Sequence, residues 1–152
     1  MPTQLEILDL SDNDLPISSS FCEVLSRMTV LRELNMSYCH LDDDEVALLT
    51  PCLANCHALT SLHMNGLRLA SEVEVSTLVR GLTQLQLLHL GKCELKDHHV
   101  AELVRSLYHH RHLTSLNLSG NILAEESSQV LAEWSHLHCL EAVGLNKPNT
   151  YG

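Results

Sequence analysis

The sequence predicts an α/β fold: a right-handed βα solenoid bent into a horseshoe, with a parallel sheet on its concave face and helices on its convex face. Three observations predict it. One apolar spacing, L-x-x-L-x-L-x-x-N/C-x-L, recurs along the chain. Behind each copy the apolar period changes from 2 to about 3.6, as a short strand followed by a helix requires. Apolar residues are 45% of the chain and aromatics only 3%, so the interior must be built from repeated aliphatic side chains rather than stacked rings.

The first copy is Leu5, Leu8, Leu10, Asn13, Leu15, and the second Leu31, Leu34, Met36, Cys39, Leu41. The third, Leu59, Leu62, Met64, Leu67, Leu69, has leucine in the Asn/Cys place. Leu85, Leu88, Leu90, Cys93, Leu95 and Leu113, Leu116, Leu118, Asn121, Leu123 follow, and a degenerate sixth, Leu140, Val143, Leu145, breaks off at Pro148. Start-to-start spacings of 26, 28, 26, 28 and 27 point to a double unit of 54 residues. A shift of that length lays Leu59-Thr60-Ser61-Leu62 on Leu113-Thr114-Ser115-Leu116 and Cys39 on Cys93. One-sided helical stripes follow the strands: Val46, Leu49, Leu53; Val75, Leu78, Val79, Leu82; Val100, Leu103, Val104, Leu107; and Val130, Leu131, Trp134. Ser20, Asp42 and Ser71 each stand three before a glutamate and read as helix caps, and Asp97 can cap the fourth helix. Pro51 falls inside a helical pattern and predicts a kink or a restarted turn.

One strand and one helix cannot bury their own apolar face, so all six repeats, starting at about 5, 31, 59, 85, 113 and 140, form one domain over 1–152. The Asn or Cys after each strand should turn inward and satisfy backbone groups in the bend. Because the first repeat opens directly on its strand, the chain reads as a piece of a longer array. Asn146-Lys147-Pro148-Asn149 discourages pairing beyond the last strand.

These copies, from Leu5 to about Leu145, resemble the leucine-rich repeats of the ribonuclease-inhibitor type, found in the C-terminal arrays of NOD-like receptors and in Ran GTPase-activating proteins. Leucine at 67 departs from that pattern and predicts a local irregularity. The resemblance implies an intracellular protein-interaction module, such as the sensor or autoinhibitory array of a NOD-like receptor. Its alternative is a GTPase-activating regulator of the Ran-directed type, for which Arg68 is the one arginine in a strand-to-helix loop.

Nine Lys+Arg against nineteen Asp+Glu give a net charge of −10, which disfavours nucleic acid and anionic membranes as partners. Eleven histidines would carry the formal charge to +1 in acid. No run of eighteen apolar residues exists, and Met1-Pro2-Thr3-Gln4 opens no export signal. Cysteines 22, 39, 52, 56, 93 and 139 lie in periodic apolar segments, which suits thiols in a reducing cytoplasm better than a disulfide framework.

Alternation along each strand turns the third, fifth and seventh repeat positions outward on the inner curve, flanked by the second and eighth. The partner-binding candidates there are Glu6, Asp9, Asp12, Glu33, Asn35, Tyr38, His63, Leu87 and His89. The expected partner is a protein, with self-association through the open first strand as a further route. His63 and His89 share a column close enough to share a metal, yet their column neighbours are Asn35 and Asn117 and no cysteine or carboxylate adjoins them. His109, His110 and His112, with His136, His138 and Cys139, lie in helix-to-strand turns, where imidazoles complement the helix dipole. In Cys52-x3-Cys56-His57 both sulfurs read as small buried groups. Asp42-Asp43-Asp44-Glu45 reads as helix capping, since it lacks the spacing of a calcium loop. No G-x-S-x-G, phosphate loop or dinucleotide fingerprint occurs, so neither an enzyme nor a cofactor or metal is expected.

Overall fold

The computed structural model describes residues 4–132 and the strand at 142–144. Strands and helices alternate: β1 (Ile7–Asp9), α1 (Ser19–Ser26), β2 (Glu33–Asn35), α2 (Asp43–Leu53), β3 (Ser61–His63), α3 (Glu72–Arg80), β4 (Leu87–His89), α4 (Asp97–Ser106), β5 (Ser115–Asn117), α5 (Glu125–Ala132) and β6 (Ala142–Gly144). The six strands form one parallel sheet in chain order. Register follows the repeat, with Leu8, Leu34, Leu62, Leu88, Leu116 and Val143 side by side. Each helix from α1 to α5 packs on the next. Strands stand about 4.8 Å apart and helices about 8–10 Å, so the helical layer takes the outer curve.

The consensus apolar positions fill the wedge between the layers. Leu31, Leu34, Met36, Leu41, Leu59, Leu62, Leu85, Leu88 and Leu113 are fully buried, as are the helical stripes Val46–Leu49–Leu53 and Val75–Leu78–Val79. The first repeat departs from this. Leu5 is exposed and Leu8 and Leu15 only partly buried, because a repeat seals its face against neighbours and here has one described neighbour.

The ninth repeat position accounts for buried backbone groups. Cys39 Sγ donates to the Leu10 carbonyl and Cys93 Sγ to the Met64 carbonyl, both at 3.0 Å. Asn121 satisfies four groups: its Oδ1 accepts from Cys93 N and Leu95 N, and its Nδ2 donates to the Leu90 and Leu118 carbonyls. Leu67 can make none of these bonds, but the chain keeps its course there. Gly66 takes the left-handed conformation with φ +70°, as Asp12, Tyr38, Lys92 and Gly120 do at the same place. The irregularity expected at Leu67 is therefore a missing side-chain bond and not a changed path. Among the described residues a second left-handed residue follows only Cys39 and Cys93, at His40 and Glu94, and marks the 54-residue period in the backbone.

Several local expectations are corrected. The α1 cap is Ser18, whose Oγ accepts from Phe21 N, and Ser20 lies inside the helix. Asp42 and Glu45 form the expected capping box. Ser71 accepts from Val73 N, one residue nearer than a box requires. Asp97 does not cap α4, because it is the first helical residue and its carboxylate accepts instead from Ala124 N, Ser127 N and the Ser127 hydroxyl of the next repeat. Its counterpart 54 residues earlier, Asp43, accepts from Ala70 N and Ser71 N at 2.9 and 3.1 Å. The restarted turn expected at Pro51 does not occur, since α2 runs through it to Leu53. Exposed in the last turn, it costs the helix one hydrogen bond to Ala47.

The reading of every cysteine as a thiol is also corrected. Cys22 of α1 and Cys52 of α2 are disulfide-bonded, with Cα atoms 4.9 Å apart, while Cys39, Cys56 and Cys93 are free and buried. Trp134, His136, His138, Cys139, Leu140, Leu145 and Asn146 to Asn149 lie outside the described residues.

Candidate functional site

The fifth repeat positions form one row across the inner wall: Asp9, Asn35, His63, His89 and Asn117 are neighbours in register. At both ends of the row the side chain turns back to the chain. Asp9 accepts from Ser11 N and Oγ, Asn35 from Ser37 N, and Asn117 from Ser119 N and Oγ, at 2.6–3.0 Å. These bonds shape the exit from each strand, and those to Ser11 hold the Asp9 carboxyl below the usual range. Asp9 and Asn35 thus have structural work besides any docking.

His63 and His89 break this pattern and face each other instead. Their Nδ1 atoms are 3.1 Å apart and their rings meet edge to face. His63 Nε2 lies 3.3 Å from Glu33 Oε1. The expectation that no carboxylate adjoins the pair is therefore wrong: Glu33 stands two positions before Asn35 on β2, and its long side chain crosses diagonally to β3. The His63 side chain is 19% exposed and that of Glu33 42%. Burial, then the neighbouring His63, lowers the pKa of His89 and favours its neutral imidazole.

Tyr38, with φ +57° and 39% exposed, lies across Gly66. A Cβ built on Gly66 would fall 2.2 Å from Tyr38 Cδ1, so glycine is what lets the ring lie flat there. Leu87 is partly exposed in the row beside Ser61 and Ser115. Glu6 and Asp12 are exposed at the β1 end, where Asp12 N donates to the Ser37 carbonyl. All nine predicted residues thus lie on or beside the sheet's inner wall, and His63 contacts both Glu33 and His89.

Other candidates fall elsewhere. Arg68 is exposed, and its backbone is bridged to Asp42. His110 is not a dipole-facing surface residue but a core one, 1% exposed, with Nε2 2.7 Å from the Val79 carbonyl. It takes the interior place that Met28, Cys56 and Leu82 take in earlier repeats. His109 and His112 are exposed. Cys56 fits the expected buried thiol, its pKa raised by burial, whereas Cys52 does not. Among the described residues no helix is long and apolar enough to cross a membrane.

Models described as "Leucine Rich Repeat" match residues 4–28, 27–44 and 109–123. Protein NLRC5 of Ictalurus punctatus is 28% identical over 145 residues, which are 93% of this chain and 8% of that protein, so the chain spans less than a tenth of its length. Among solved structures, the actin-binding site 2 of leiomodin-1 superposes with a TM-score of 0.68 at 16% identity, over 90% of this chain and 80% of that one. The tropomodulin C-terminal domain of Caenorhabditis elegans gives 0.68 at 12% identity, over 90% and 84%. At such identities the likeness to both structures is one of fold. The repeat spacing, the parallel in-register sheet and the matched segments together show a chain built from leucine-rich repeats.

Proposed function

We propose that the chain is a protein-interaction module that docks its partner on the concave wall, through Glu6, Asp9, Asp12, Glu33, Asn35, Tyr38, His63, Leu87 and His89. The observation that carries this reading is Tyr38. A bulky ring is held in a left-handed backbone conformation and laid flat on a glycine, so that it stays partly open to solvent. The left-handed backbone is common to this repeat position, but among the described residues Tyr38 alone puts a ring there, and rings are favoured interface anchors. The likeness to Protein NLRC5 supports placing the module in a NOD-like receptor array acting inside the cell as sensor or autoinhibitor.

A photo-reactive residue placed at Asn35 or Tyr38, with a convex control at Leu48, tests the reading in a cytosolic extract. We expect one discrete cross-linked protein from the concave positions, reduced at least 10-fold by Asp9→Lys combined with Glu33→Lys. Cross-links from Leu48 alone, or concave cross-links insensitive to those changes, would contradict it. A second copy joined at the free edge of β1, where Ile7 is 61% exposed, would appear in the same experiment as a dimer.

A further inference from the structure

We propose that His63 and His89 form an open two-imidazole site for a divalent transition-metal ion such as Zn2+ on the concave wall, with Glu33 fixing the ligand tautomer. The proposal goes beyond partner docking and needs no partner to be tested.

Three observations carry it. The Nδ1 atoms stand 3.1 Å apart. Two nitrogens bound at about 2.0–2.1 Å in adjacent positions around one zinc ion are themselves about 2.9–3.4 Å apart, so the pair already has the bite of a chelate. Next, Glu33 Oε1 lies 3.3 Å from His63 Nε2. A carboxylate there accepts a hydrogen bond from Nε2–H, keeps the proton on Nε2 and leaves the Nδ1 lone pair of His63 directed at His89, as the outer carboxylate of a metal-bound histidine does. Finally, the two histidines do not make the strand-exit bond that Asp9, Asn35 and Asn117 make from the same position. Both rings are thereby free of backbone duty.

No third histidine, cysteine or carboxylate is placed to complete the shell among the described residues. Water fills the remaining positions, so the site is open and its affinity well below that of a closed structural zinc site. Without metal, one imidazole N–H donates to the other ring. Metal entry replaces that proton, so uptake weakens as acid protonates the pair.

The test is calorimetric titration of zinc chloride into the whole chain at pH 7.5, followed by imidazole nitrogen shifts. Asparagine already occupies the same position on β2 and β5, so His63→Asn and His89→Asn suit the fold. The expected result is one saturable equivalent whose affinity falls at least 10-fold in either variant, and about 10-fold in Glu33→Gln. His109→Gln with His112→Gln should leave it unchanged. No saturable uptake by the parent chain, or uptake that His63→Asn and His89→Asn leave intact, would overturn the proposal.

Discussion

Asn121 shows what one side chain does in this architecture. Four backbone groups from two adjacent repeats converge on its amide. Asn121→Ala strands them, and because these groups are only part-buried and partly reached by water, the loss falls short of four times the about 1–3 kcal/mol that a fully buried unpaired group costs. We expect a loss of about 2–4 kcal/mol in urea unfolding, and a loss under 0.5 would show that water replaces the amide freely. His110 makes a prediction in pH. Burial lowers its pKa from the ordinary value near 6.5 and outweighs its carbonyl bond, so the unfolded chain binds the proton more readily than the folded one. The contribution is therefore complete above pH 6.5 and is lost as pH falls through the window below it. His89 acts in the same direction. His110→Leu, which copies the Leu82 place, should flatten the fall of the urea midpoint between pH 7 and 5.5, and an unchanged slope would exclude His110 as its source. At this scale the sequence was legible where position alone decides. Asn121 and Cys93 turn inward because the consensus puts them there. The Glu33–His63 contact was hidden because columns describe strands one position at a time, and a glutamate reaches across two.

Among the elements, α1 and α2 are joined by Cys22–Cys52. Their spacing of 30 residues matches no repeat length, since the two cysteines sit at different places in successive helices, and so the pair could not be read from periodicity. Closing a loop of that size in the unfolded chain is worth about 3–4 kcal/mol. The cross-link ties down the repeat whose apolar face is least sealed. Cys22→Ser with Cys52→Ser should therefore lower stability by about 2–4 kcal/mol against the oxidised parent, with the loss of amide protection concentrated in β1 and α1. Equal stability of the oxidised and substituted chains would contradict this. Helix starts were legible only to within two residues. Ser18 and Ser20 are both good caps, and packing chooses between them. Asp43 and Asp97 reach forward to the next repeat rather than to their own helix, a use visible only once repeats are stacked.

For the whole molecule, the repeat spacing already contained the architecture, because leucines 26 or 28 residues apart can share a wedge only if strands lie parallel and in register. Stacking gives the inner wall its row of side chains, and with it both proposed sites. The measurement that bears on this most directly is methyl-to-methyl proximity by NMR in a leucine-labelled sample. Stacked parallel repeats predict a ladder of contacts from Leu34 to Leu62, Leu62 to Leu88 and Leu88 to Leu116, with none between Leu34 and Leu116. Contacts in antiparallel order, or Leu34 close to Leu116, would contradict it.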